Sequence, residues 1–143
     1  MSGETNNHRT GHCLCGAVRY RVPTPSEGEI AHCHCSMCRR AAGAVAVTWF
    51  TVPTEGLEML GTPLEIYKSS AEVERGFCPT CHTPISFWSS KYPDTIDVTL
   101  ATLDHPEEFA AQMHIWTESR LPWLKLDTHL PDRLGDPDED DLH

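Results

Sequence analysis

The chain has 143 residues and a formal net charge of −10 at pH 7, from 21 acidic and 11 basic side chains. A chain of this length forms one domain with a substantial core, and its negative charge argues against direct binding to nucleic-acid phosphates. No apolar stretch reaches the roughly 20 residues that a membrane-spanning helix needs. The opening run MSGETNNHRT lacks the apolar segment of a secretory signal, so we expect a cytoplasmic protein.

In chain order, the patterns predict a mainly β domain over residues 8–131, built from short and mostly antiparallel strands with metal-binding knuckle loops. Residues 1–7 have the composition of a flexible N-terminus, and residues 132–143 contain six acidic side chains, which predicts a disordered acidic tail. A short helix is indicated over residues 36–42 and a second over residues 106–111. Alternation and β-branched or aromatic content predict strands over 17–22, 44–52, 64–69, 85–90, 95–103 and 112–118.

Seven cysteines in three tight groups are the strongest functional signal. Gaps of one or two residues place thiolates close enough to share a metal ion, and zinc takes four ligands with sulfur at about 2.3 Å. The odd count and the poor disulfide geometry of a C-x-C pair argue against a disulfide scaffold, so we expect reduced, metal-bound thiols, with an iron–sulfur cluster as the alternative. The groups are Cys13 with Cys15, Cys33 with Cys35 and Cys38, and Cys78 with Cys81.

Seven ligands divide into a site of four and a site of three. The runs at residues 13–16 and 78–81 each predict a hairpin tip that presents two sulfurs, with Gly16 supplying a positive φ. We call Cys13, Cys15, Cys78 and Cys81 the four-cysteine group; a zinc ion shared by the two tips would crosslink distant parts of the chain and be structural.

The middle run, C-H-C-S-M-C, supplies three ligands within six residues. We call Cys33, Cys35 and Cys38 the cysteine triad. Three local ligands favour an open or labile zinc site that accepts water or a substrate thiol. The alternative is that a histidine closes the site, and the candidates are His12, His32, His34 and His114.

Other polar side chains are candidates for contacts with a substrate. Arg39 and Arg40 follow the triad directly and could bind a carboxylate through two hydrogen bonds, offset the charge of the thiolates, or simply be solvated. His114 is a further candidate contact. Asp104 next to His105 suggests an acid-oriented histidine, although a turn would explain the pair equally well.

These motifs together resemble the glutathione-dependent formaldehyde-activating enzyme family, which is grouped with centromere protein V. The matching stretches are residues 11–20, 31–44, 76–85 and 114–131. The resemblance implies a β-tent fold, with a structural zinc on the four-cysteine group and a catalytic zinc on the cysteine triad. It also implies the joining of formaldehyde to glutathione, which is formally a carbon–sulfur lyase reaction.

One position departs from the family pattern, because His82 stands where the family has glycine. A left-handed backbone there would fall on histidine, which tolerates it better than most residues. The expected partners are a small thiol and an aldehyde, or their adduct, and the expected cofactors are two zinc ions, the second labile. The first alternative to an enzyme is a non-catalytic zinc module that binds a protein partner. The second alternative is a thiol redox or zinc-release sensor. The sequence does not predict the oligomeric state.

Overall fold

The computed structural model of the protein describes residues 7–26 and 28–136. It is mainly β, as predicted, with antiparallel and mixed sheets. The strands are β1 (His8–His12), β2 (Arg19–Pro23), β3 (Ile30–Cys33), β4 (Val47–Pro53), β5 (Glu58–Met59), β6 (Glu65–Lys68), β7 (Val73–Phe77), β8 (Pro84–Ser89), β9 (Thr95–Thr99) and β10 (Met113–Ile115), and the α-helix is α1 (Ser36–Ala42).

The chain forms two compact units. The first contains the residues up to Pro25 together with Phe50–Phe109, and the second contains Ser26–Trp49 together with the residues from Ala110 onward. Strand β4 contributes its first residues to the second unit and its last residues to the first. None of the helices in the described part of the chain has the length and apolarity required to traverse a bilayer.

The first unit holds two sheets. One has the strand order β1-β2-β5 and is antiparallel, with His12 opposite Arg19. The other has the order β4-β9-β8-β7-β6, and β7 pairs with both neighbours antiparallel. Side chains alternate between the core and solvent along β2 and the residue before it, so Val18, Tyr20 and Val22 are completely buried. This is expected for a strand with one face on the core.

The second unit is built around β3, which lies between β10 and β4. Strand β10 pairs with β3 in parallel, with His114 opposite His32, which differs from the expectation of mostly antiparallel pairing. Helix α1 follows β3 directly and ends at Gly43, whose left-handed backbone (φ 64°) closes the helix. Its bounds agree with the prediction.

The described start of the acidic tail is hydrogen-bonded to the chain just after β10. The Trp116 N–H donates to the Gly135 carbonyl, and the Arg133 N–H donates to the His114 carbonyl. The Arg120 guanidinium holds Asp132 through two hydrogen bonds of 2.7 and 3.2 Å. The remaining residues of the predicted tail, and all but the last residue of the predicted N-terminal lead, lie outside the described residues, so the domain boundaries stay a prediction.

Several predicted elements are shorter in the structure; the strand over 112–118, for example, is reduced to Met113–Ile115 and is followed by a 3₁₀ turn over Thr117–Ser119. Two others end early for identifiable reasons. The second predicted helix is a single 3₁₀ turn over Pro106–Glu108, because the backbone becomes extended at Phe109. The predicted strand over 95–103 ends at Thr99 and continues as a 3₁₀ turn over Leu100–Thr102. That turn brings Thr102 to Tyr20, whose hydroxyl it meets at 2.7 Å.

Gly11 is required where β1 crosses Tyr20. A methyl group at this position would overlap the Tyr20 ring and hydroxyl and would lie 2.6 Å from the Thr102 carbonyl oxygen. We predict that Gly11→Ala lowers the free energy of unfolding by about 1–3 kcal/mol, because the packed strands cannot yield. Gly135→Ala is the matched control, since its nearest contact would be an ordinary 3.7 Å. Denaturant titration of both variants measures the difference, and equal stabilities would contradict the explanation.

Candidate functional site

Four sulfur atoms converge in the first unit at the tips of two hairpins. Cys13 and Cys15 lie in the turn between β1 and β2, and Cys78 and Cys81 lie in the turn between β7 and β8. The sulfurs of Cys13 and Cys15 are 3.6 Å apart, those of Cys15 and Cys78 are 3.8 Å apart, and all four lie within 4.8 Å of one another. The four-cysteine group predicted from spacing is therefore assembled by the fold.

The geometry of this group fits a tetrahedral metal ion. A tetrahedron with metal–sulfur bonds of about 2.3 Å has sulfur–sulfur edges of about 3.8 Å. Backbone N–H groups also donate to the sulfurs, from Val18 to Cys13 at 3.3 Å and from Thr80 to Cys78 at 3.3 Å. A hydrogen bond from the Thr83 hydroxyl lowers the pKa of Cys81 to about 5. These residues could hold a metal ion that prefers thiolates.

Each of the two hairpin tips contains a residue with a left-handed backbone directly after a cysteine. Gly16 has φ 84°, as expected from its place after Cys15, and His82 has φ 68° directly after Cys81. Histidine therefore does carry the left-handed conformation at the position where the family pattern has glycine. A further bond, from the Leu14 N–H to the Thr83 hydroxyl at 3.1 Å, joins the two tips directly. The two tips belong to different sheets of the unit, so the group links one sheet to the other.

The cysteine triad lies in the second unit, where β3 passes into α1. Cys33 ends β3, Cys35 is the N-cap residue of α1, and Cys38 is in the helix. Cys33 and Cys38 are buried, and hydrogen bonds from their side chains lower the pKa of Cys35 to about 2. The same bond to Cys35 raises the pKa of Cys33. The three thiols are therefore linked to one another by hydrogen bonds.

The triad is less closely gathered than the four-cysteine group. Among residues 7–26 and 28–136, the groups of ligand atoms that lie mutually within 4.8 Å are the four-cysteine group and the exposed side chains of His105, Glu107 and Glu108. A metal ion bound by the whole triad would draw its sulfurs together. The triad's role as a metal ligand set, and the lability of an ion bound there, stay predictions.

Three histidines near the triad bond to one another and to a loop. The His34 Nε2 and His114 Nδ1 atoms are 2.9 Å apart, and the His114 Nε2–H donates to the Asp127 carbonyl at 2.9 Å. His32 meets the Thr48 hydroxyl through Nδ1 and the Asp127 carboxylate through Nε2, both at 2.7 Å. Both ring nitrogens of His32 and of His114 are thus occupied, which disfavours them as ligands of the triad's metal.

The location of the histidines also separates them from the triad sulfurs. Along β3 and its continuation, His32 and His34 alternate with Cys33 and Cys35, so the imidazoles and the sulfurs face opposite ways. The His114 ring packs against both imidazoles, with centroids at 5.3 Å from His32 and 5.0 Å from His34. His114 is 1% exposed, and its contact with a substrate stays a prediction.

One buried nitrogen in this group lacks a partner. The Nδ1 atom of His34 makes no hydrogen bond among the described residues, although the side chain is completely buried. Burial lowers the pKa of His34 to about 4, so the ring is neutral at pH 7. The bond to His114 uses Nε2, so Nδ1 is the unsatisfied nitrogen of this ring.

The remaining predicted site residues have different surroundings in the structure. Arg39 is half-buried, and its Nε–H donates to the His34 carbonyl at 3.4 Å, whereas Arg40 is exposed. Asp104 does orient a histidine, but its partner is His12, whose Nδ1 lies 2.7 Å from the carboxylate. His105 instead meets Glu107 at 3.2 Å. His12 belongs to the first unit and is not shown near the triad.

The family of this chain follows from a comparison with family models. The model described as "Glutathione-dependent formaldehyde-activating enzyme" matches residues 8–119, which include all seven cysteines. The chain belongs to this family. The expected kinship with centromere protein V is not part of that match.

Individual relatives agree with the family. A Halomonas elongata protein named "Putative glutathione-dependent formaldehyde-activating enzyme" is 28% identical over 142 residues, covering 90% of this chain and 88% of the relative. Proteins of the same name from Aspergillus flavus and Aspergillus oryzae are each 34% identical over 77 residues, which cover 50% of this chain and 39% of theirs. A solved Rhodobacter sphaeroides protein shares the fold, with TM-score 0.57, 20% identity, and coverage of 86% of this chain and 98% of its own.

Sequence reasoning missed one residue of this region, Asp127. It lies in a loop and contacts His32, which is 95 positions earlier in the chain. Its backbone is left-handed, with φ 44°, and its side chain is 44% exposed. The alternation of histidine and cysteine over residues 32–35 was the available signal, because it requires a polar partner on the face opposite the sulfurs.

The four-cysteine group should be structural. We predict that Cys78→Ser yields aggregated or molten protein, because one lost thiolate opens the link between the two hairpins and metal binding is coupled to folding. Leu14→Ser is the matched control, since Leu14 lies between two ligands but is 86% exposed. Circular dichroism and metal analysis of the purified proteins compare them. A folded Cys78→Ser protein with undiminished metal content would contradict this assignment.

Proposed function

We propose that this chain is a zinc-dependent enzyme of carbon–sulfur lyase type, which activates a small thiol such as glutathione for reversible addition to a small aldehyde such as formaldehyde. The observation that carries the proposal is the cysteine triad, whose three thiols are hydrogen-bonded to one another while both ring nitrogens of His32 and of His114 are bonded elsewhere. That donor set leaves a place for a fourth ligand from outside the protein. The family name supports glutathione and formaldehyde as the substrates.

The donor sets fit two zinc ions, one on the four-cysteine group and one on the triad. Three soft sulfur ligands favour zinc over magnesium or calcium. When bound by the triad, zinc would supply charge that deprotonates a thiol substrate at neutral pH. Cys33, Cys35 and Cys38 then act as ligands and not as nucleophiles.

The bond changes balance without any further reagent. The substrate thiolate sulfur adds to the carbonyl carbon of the aldehyde, so a carbon–sulfur bond forms as the carbonyl π bond breaks. The electron pair moves to oxygen, which takes a proton from solvent and gives the hydroxymethyl thioether. The reverse reaction releases thiol and aldehyde, so the enzyme changes the rate and not the equilibrium.

Arg39 is the residue best placed to select the thiol. It lies one position after Cys38, its Nε is anchored on the His34 carbonyl, and its terminal nitrogens have no hydrogen-bond partner among the described residues. An anchored guanidinium with a free edge can bind a carboxylate through two hydrogen bonds. Arg40 is exposed and lacks such an anchor.

The protein should accelerate exchange between a thiol plus aldehyde and their hemithioacetal. At pH 7 about 3% of a thiol with a pKa near 8.5 is thiolate, so complete deprotonation raises the reactive form roughly 30-fold. We predict rate gains of at least this order at saturation. Exchange NMR on glutathione and formaldehyde, with and without protein, measures the rate directly.

The control for that experiment is Cys35→Ser, which should be folded and inactive with one zinc fewer. If wild-type protein carrying two zinc ions accelerates exchange no more than Cys35→Ser does, with glutathione and with other small thiols, the enzymatic proposal fails. A zinc module that binds a protein partner would then be the better account of the triad.

Substitution of Arg39 should affect only thiols that carry a carboxylate. We predict that Arg39→Ala raises KM for glutathione roughly tenfold, which corresponds to the loss of a charge-assisted hydrogen bond. KM for 2-mercaptoethanol should not change, and Arg40→Ala should leave both values unchanged. Steady-state rates for the two thiols decide the point. Equal losses for both thiols would show that Arg39 supports the fold and does not select the substrate.

A further inference from the structure

The hydrogen bonds of the three buried histidines converge on Asp127. A carbonyl oxygen only accepts, so the His114 Nε2 atom carries a proton and donates it to Asp127. The other ring nitrogen of His114, Nδ1, shares one hydrogen with His34 Nε2. His32 donates from Nε2 to the Asp127 carboxylate, and its Nδ1 is hydrogen-bonded to the Thr48 hydroxyl.

Two series of hydrogen bonds end on Asp127. One runs from His34 through His114 to the backbone carbonyl of Asp127, and the other runs from His32 to its carboxylate. A single residue can present both groups to this cluster with the left-handed backbone observed at φ 44°. Such a conformation is costly for a residue other than glycine, and it persists where the surrounding contacts hold it in place.

The segment between the histidines is held on both faces. His32 and His34 bond into the imidazole cluster, and Cys33 and Cys35 contribute to the triad on the other face. The backbone is fixed as well, because β10 pairs with residues 31–33 and the His34 N–H donates to the Ile115 carbonyl at 3.0 Å. A shift of this segment toward either face would break contacts on the other.

We propose that Asp127 is the positioning residue of the cysteine triad, and that it acts through His32, His34 and His114. This inference rests on the proposed role of the triad as the reactive site. The imidazoles are at most about 10% exposed, whereas the Asp127 side chain is 44% exposed, so the cluster is held from its solvent end. Loss of the Asp127 carboxylate removes the Nε2 partner of His32 and so loosens one of the two faces that hold the segment carrying Cys33 and Cys35.

Two substitutions at position 127 and one control at position 128 separate the contributions of the Asp127 carboxylate and carbonyl groups. Asp127→Gly removes the carboxylate but keeps the carbonyl and permits the left-handed backbone. Asp127→Asn keeps an oxygen acceptor for His32 and also tolerates that backbone. Thr128→Ala is the matched control, since Thr128 is an exposed neighbour in the same loop. All are made in the full chain with its metal content as purified.

The first measurement is the rate at which iodoacetamide labels each cysteine in the native protein, read by mass spectrometry. For Asp127→Gly we expect the cysteine triad to react about tenfold faster than in wild type, the scale reported for residues that orient metal ligands. Labelling of the four-cysteine group should not change. Asp127→Asn should stay within about twofold of wild type, as expected when an acceptor remains.

The second measurement is the long-range ¹H–¹⁵N spectrum of the histidine rings at neutral pH. Wild type should show a proton on Nε2 of His32 and of His114, and Asp127→Gly should alter the ring signals of His32 while leaving those of His34 unchanged. Unchanged triad labelling in Asp127→Gly, or equal acceleration at both cysteine groups, would overturn the proposal. Neither readout uses a substrate, so both remain decisive even if wild type fails to accelerate thiol–aldehyde exchange.

Discussion

The link between two hairpin tips is the constraint on which the first unit depends. Strands β1 and β2 are short, and the sheet they form with the two-residue β5 has little hydrogen bonding of its own. The four-cysteine group joins this sheet to the one that contains β7 and β8, at sulfur separations that suit a tetrahedral ion. The backbone tolerates a left-handed histidine at His82 because the contacts around Cys81 fix the turn.

In the second unit, the alternation of side chains along an extended backbone determines where the histidines and cysteines lie. Over residues 32–35 this alternation sends imidazoles to one face and sulfurs to the other, so one strand supplies two different environments. The imidazole face is buried and satisfied except at His34 Nδ1. On the sulfur face, hydrogen bonds from Cys33 and Cys38 lower the pKa of Cys35. Under the proposed function, hydrogen bonds on the imidazole face would support reactivity on the sulfur face.

How much could be predicted from the sequence depends on the distance between interacting residues. Helix α1 and both two-cysteine tips were predictable, because their signals lie within a few residues. Strand β3 was not predicted, since its histidines and cysteine conceal the usual apolar pattern of a strand. The contacts within the histidine cluster also could not be predicted, because His34 and His114 are 80 positions apart and meet only through the parallel pairing of β10 with β3.

The separation of the two cysteine groups has an energetic consequence. They belong to different compact units, so under the proposed function loss of metal from the triad would not open the crosslink between the hairpin tips. The four-cysteine group is already gathered to metal-binding distances, whereas the triad sulfurs would have to draw together around an ion. That difference would favour a firmly held ion in the first unit and an exchangeable coordination position in the second. Stability and reactivity would then change independently, because no cysteine belongs to both groups.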